Sequence, residues 1–153
     1  MKMPFVFFLA IFATAAQADG HQLTVPANAQ WQSECGSCHL AYPPQLLTAE
    51  NWRQVMKGLD RHFGANATLD AKENAEILAF LERHAARDSR YSAKSLRISD
   101  TPWFQREHRE VPHTVWSHKQ VKSPANCTAC HIDGDKGNWS ERGVRLPDGR
   151  RWE

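Results

Sequence analysis

The pentapeptide Cys35-Gly36-Ser37-Cys38-His39 returns in this 153-residue chain as Cys127-Thr128-Ala129-Cys130-His131, and the two copies use all four cysteines. The spacing is mechanical. A short helical turn sets both sulfurs of Cys-x-x-Cys on one edge of a flat ligand and swings the next imidazole beneath its centre. That is the attachment pattern of c-type haem, in which the thiols add to the two vinyl groups and the histidine ligates the iron. Two copies with no cysteine left over predict two covalent haems, held by Cys35 and Cys38 with His39, and by Cys127 and Cys130 with His131.

Other uses of paired cysteines fit less well. Zinc ribbons place their Cys-x-x-Cys pairs about 15–20 residues apart, whereas Cys38 and Cys127 are far apart, and zinc gives no reason for a histidine directly after each pair. A thioredoxin-like redox pair needs a βαβ setting that the sequence does not supply. Two structural disulfides would suit an exported chain but leave His39 and His131 unexplained.

The N-terminus agrees with haem attachment outside the cytoplasm. A short basic start is followed by the apolar run from Phe5 to Ala13, and then by Ala16-Gln17-Ala18. This matches a signal peptide over residues 1–18, cleaved before Asp19. The run is shorter than the ~20 residues a membrane span needs, and no other segment could cross a bilayer. A periplasmic location is expected. Cleavage leaves about 135 residues, enough for one ordinary domain or two very small ones. Domains that small need a staple, and covalent haem supplies one as an apolar plate for packing. Lys and Arg are interspersed with Asp and Glu, so nucleic acid is not an expected partner.

The helical signals give an all-α fold with much irregular chain, in two small haem units. Residues 19–88 form the first. A short helix runs from about Asn28 into the first motif, and Pro43-Pro44 forces a turn-rich passage. Thr48 caps a helix carrying Trp52, Val55, Met56, Leu59 and Phe63 on one face, stopped by Gly64. Asp70 and Glu73 open the next, striped by Ile77, Leu78, Leu81 and Ala85. Residues 89–100 lack a sustained period and read as a linker. Residues 101–153 form the second unit. Thr101-Pro102 starts a helix through Trp103, Phe104 and His108 until Pro112, and Ser123-Pro124 gives the same start signal ahead of Cys127. The tail has four glycines from Ile132 onward and a turn at Pro147-Asp148-Gly149.

The sixth ligand of each iron decides the function. After cleavage Met56 is the one methionine left, so the second haem has no local thioether. In the first unit the choice lies among His62, His84 and Met56, with His62 preferred because it ends the apolar face at a glycine turn. In the second, His108 is preferred over His113 because it sits four residues after Phe104 on a helix, which fixes its direction.

Cys35-Gly-Ser-Cys-His39-Leu-Ala-Tyr-Pro-Pro, followed by Trp52…Met56-x-Gly58-Leu59-x-x-His62-Phe63-Gly64, resembles the exported dihaem cytochrome c family called DHC. The second half agrees through Trp103-Phe104-x-Arg106-Glu107-His108 and Val121-Lys122-Ser123-Pro124-Ala125-Asn126-Cys127-x-x-Cys130-His131. The resemblance covers nearly the whole mature chain. It implies that the first unit is like a trimmed class I cytochrome c. It also implies that both irons are bis-histidine ligated, His39 with His62 and His131 with His108. A small monohaem cytochrome c is the implied electron acceptor and a membrane b-type cytochrome the implied donor. A monomeric electron carrier is expected. The competing expectation is a small dihaem oxidoreductase of peroxidase type with one open iron, and a haem-based sensor is a minor third, since no signalling domain accompanies the motifs.

Overall fold

Four of the helix starts are fixed by side-chain oxygens that take up otherwise orphaned backbone N–H groups. The computed structural model describes residues 23–152; the expected signal peptide at 1–18 lies outside them. Helix α1 spans Ala29–Gly36, and Asn28 Oδ1 accepts from Trp31 N at 2.9 Å. Helix α2 spans Ala49–Lys57 behind Thr48, whose Oγ1 accepts from Asn51 N. Helix α3 spans Ala71–His84 behind Asp70, whose Oδ1 accepts from Glu73 N at 2.8 Å.

Helix α2 is shorter than its apolar stripe. It ends at Lys57 with Gly58 as cap, and the chain continues as a 3-10 turn over Leu59–Arg61. Glycine is costly within a helix and permissive at its end, so the helix stops at the first glycine rather than at Gly64. Leu59 stays buried, but Phe63 turns outward with φ 50° and 47% exposure, under the Arg97 guanidinium at 4.4 Å. It does not belong to the core face. Gly64, at φ 101°, completes the reversal that a residue with a Cβ would strain.

The core of the first unit is Trp31, Leu47, Trp52, Val55, Met56, Leu59, Ile77 and Leu81, where α2 and α3 pack together beneath α1. Each such side chain removed from water contributes about 1.5–3 kcal/mol before chain entropy is set against it. Trp52 Nε1 donates to Pro44 O at 2.7 Å, pinning the turn over Pro44–Leu46 to this core.

Segment 89–100, read from the sequence as a linker, is packed on both sides. It forms 3-10 turns over Ser89–Tyr91 and Ile98–Asp100, and Tyr91 and Ala93 are buried. Asn51 of α2 reaches Ala93 on one side, and Tyr91 stacks on Trp103 at 5.1 Å on the other. Helix α4, Pro102–Glu107, follows with Thr101 fully buried as its cap, accepting from Phe104 N and donating to Ile98 O. His108 is the residue just past this helix rather than inside it.

Two further expectations change. Pro112 does not close the helical run of the second unit; its carbonyl accepts the first bond of a short helix α5, His113–Trp116. Ser123-Pro124 does not open an α-helix, because Lys122 turns at φ 62° and the second motif is a single 3-10 turn over Cys127–Ala129. The tail folds back on that motif through Arg145 N to Cys130 O at 2.9 Å, and reverses at 147–149. Among the described residues there are no strands, only isolated bridges, so the all-α class with much irregular chain holds.

Candidate haem sites

The first motif runs off the end of α1, with Cys35 on its last turn and Cys38 and His39 in the turn beyond. His39 Nδ1 lies 2.7 Å from Leu40 O. As the donor in that bond, Nδ1 leaves the Nε2 lone pair free. His62 arrives from the other side, carried by the 3-10 turn after α2, and the two ring centroids are 6.1 Å apart with planes at 26°. Burial, and then the neighbouring His39, hold His62 below the usual histidine range. It is kept as the neutral imidazole that ligates metals.

The second pair is built differently and reaches the same spacing. His108 Nδ1 lies 2.9 Å from Phe104 O, and its ring stacks on Phe104 at 3.9 Å. His131 is set by its backbone bond to Cys127 O at 2.8 Å. The ring centroids of His108 and His131 are 6.2 Å apart with planes at 75°. Burial, and then His108, lower His131 to about 4, and burial also lowers His108. Trp116 and Trp139 flank the pair, 5.9 Å from His108 and 5.2 Å from His131 respectively.

These spacings can be compared with coordination geometry. Imidazole nitrogens sit about 2 Å from a bound metal and the ring centroid about 1.1 Å further, so two rings on opposite faces of one iron stand about 6.2 Å apart. Both pairs meet this. The remaining sequence alternatives lie elsewhere in the packing: Met56 is in the α2–α3 core, His84 rests against Phe80 at the end of α3, and His113 is exposed at the start of α5.

None of the four cysteines is in a disulfide. Burial pushes Cys35 and Cys127 up to about 11, with a smaller push from Glu34 at Cys35, and raises Cys130. Among the described residues no three His, Cys, Asp or Glu converge on a metal position, so the cysteine pairs do not share one zinc centre. Among the described residues the large apolar side chains left exposed are Phe63 and Ile132, each directly following a paired histidine.

The sequence places Tyr42 beside the first motif but gives no sign that it reaches the second. Its ring stacks on His39 at 4.7 Å and 18°, and its hydroxyl donates to Ala125 O at 2.5 Å, 83 positions along the chain. Burial, and then Cys127, raise its hydroxyl to about 12. The Tyr-Pro-Pro sequence after the first motif was visible, but nothing local marks its distant acceptor.

The family model for dihaem cytochrome c matches residues 31–139. No curated protein gives a significant match. Among solved structures, a dihaem cytochrome c from Shewanella baltica OS155 is 38% identical with a TM-score of 0.74, over 84% of this chain and 100% of that one. DHC from Rhodobacter sphaeroides is 37% identical with a TM-score of 0.66, over 74% of this chain and 98% of that one.

Proposed function

Because this chain belongs to the dihaem cytochrome c family and carries two covalent c-type haems with their iron, we propose that it is a periplasmic one-electron carrier with both irons bis-histidine ligated. The observation that carries this reading is the pair of imidazole spacings, 6.1 Å for His39 with His62 and 6.2 Å for His131 with His108.

Bound haem supplies an iron that cycles between ferric and ferrous by one electron. The chain's own residues decide what else it can do. Thioethers from Cys35, Cys38, Cys127 and Cys130 fix each macrocycle to the backbone. With His39 and His62 on one iron and His131 and His108 on the other, no coordination position would be left for a substrate. The Leu40 and Phe104 carbonyls orient the His39 and His108 rings. Rings held by the fold move little when the iron changes charge, which favours electron transfer over chemistry on a substrate.

Docking is expected on both halves, with different partners. Residues 23–88 carry six Lys and Arg against eight Asp and Glu, whereas residues 89–152 carry twelve against seven. The second unit therefore suits an acidic partner and the first a basic one, since complementary charge steers encounter. A small monohaem cytochrome c as acceptor and a membrane b-type cytochrome as donor fit a carrier with two faces. Export rests on the signal sequence at 1–18, and among the described residues no helix is long and apolar enough to cross a membrane.

Carbon monoxide tests the reading. The reduced holoprotein at neutral pH is expected to keep its spectrum under the gas. Rapid, stoichiometric binding at one iron would instead favour the dihaem oxidoreductase of peroxidase type.

A further inference from the structure

We propose that Tyr42 is the bridge that couples the two haem sites, fixing the His39 imidazole against the Ala125–Cys127 backbone and providing the contact path for an electron between them. The inference rests on the dihaem carrier reading above.

Tyr42 touches both sites at once. Its ring lies flat on His39 at 4.7 Å, and its hydroxyl donates to Ala125 O, two residues before Cys127. Both ends are held. Tyr42 precedes the buried Pro43-Pro44, which restricts its own backbone to extended conformations, and Pro44 O is pinned by Trp52 Nε1 at 2.7 Å. At the other end Ala125 N donates to Ser123 Oγ at 3.2 Å, and Asn126 Nδ2 ties the turn to Val121 O at 3.0 Å.

The acceptor is nearly dedicated to Tyr42. Cys127 Sγ also approaches Ala125 O, at 3.7 Å. Once that sulfur becomes a thioether it has no proton to give. Tyr42 is then the donor left to this carbonyl among the described residues.

Further ties between the halves run through segment 89–100, by Asn51 with Ala93, by Arg97 over Phe63 and by Tyr91 with Trp103. None of them rests on a motif histidine, whereas Tyr42 lies on His39 and reaches the segment that leads into Cys127. In the exchange one electron leaves one iron and arrives at the other. Tyr42 is neither oxidised nor reduced and keeps its phenolic proton.

The test uses the full-length holoprotein with Tyr42→Phe, which keeps the ring and loses the hydrogen bond, and Tyr42→Leu, which loses both. The readout is the rate at which the two haems share an electron after flash photoreduction, with the separation of the two potentials as a second measure. Tyr42→Phe should slow the exchange about fivefold, the loss in docked population expected from one neutral hydrogen bond, and Tyr42→Leu should slow it further. Asn51→Ala, which loosens the halves but keeps the Tyr42–Ala125 bond, should slow the exchange less than either Tyr42 variant. Wild-type rates and potentials in both Tyr42 variants would overturn the proposal, as would an equal slowing in Asn51→Ala. Should carbon monoxide bind the wild type, the carrier reading falls while these rates still decide the role of Tyr42.

Discussion

The side-chain amide of Asn51 both donates to the carbonyl and accepts from the amide of Ala93, each at 3.1 Å. Asn51 is 5% exposed and Ala93 is buried too, so this two-bond clamp fixes segment 89–100 to α2 without help from water. Asn51→Ala would leave two buried backbone groups unpaired, and the expected cost is about 2 kcal/mol. Guanidinium unfolding checks it: the midpoint should fall while the absorption spectrum of the folded holoprotein stays unchanged. A midpoint equal to that of wild type would mean that the clamp is dispensable.

Removing one distal histidine should affect one haem. His62→Ala is expected to make the first haem high-spin and leave the second low-spin, and His108→Ala to do the reverse. His84→Ala, His113→Ala and Met56→Leu should leave both low-spin. Optical spectra of the oxidised variants decide this, and a high-spin band in His84→Ala or His113→Ala would reassign the corresponding ligand.

The cap of α3 should contribute to the acid sensitivity of the fold. The Glu73 N–H holds the Asp70 carboxylate below the ordinary range. A lowered native pKa means that its contribution is full above the unfolded value of about 3.9 and is lost as pH falls through the native one. Asn caps a helix as well as Asp without titrating. Asp70→Asn should therefore match wild type at neutral pH and lose less stability on acidification below about pH 4, as followed by thermal unfolding across pH.

What the sequence revealed was local. The cysteine motifs and the caps at Thr48, Asp70 and Thr101 are legible because each is written within a few residues of the backbone it organises. The end of α2 was misread because Leu59 and Phe63 continue the apolar period beyond Gly58. Periodicity registers which residues are apolar and not where the helix stops, and Phe63 sits outside the core. Helix α5 was hidden by Pro112, which reads as a terminator but equally serves the residue before a helix. The Asn51–Ala93 clamp and the Tyr42–Ala125 bond span 42 and 83 positions. Neither follows a period or a motif, so no sequence pattern announces them. His62 and His108 are marked in the sequence only by an apolar face and a helical spacing, and their distance to the motif histidines exists only in the fold.

The central claim is that each iron lies between two imidazoles, and electron paramagnetic resonance of the oxidised holoprotein at low temperature tests it most directly. Ring planes at 26° for His39 with His62 and at 75° for His131 with His108 predict two different low-spin signals. The near-parallel pair should be rhombic, and the near-perpendicular pair strongly anisotropic with the larger highest g value. A stoichiometric high-spin signal, or a low-spin signal matching histidine–methionine ligation, would contradict the account.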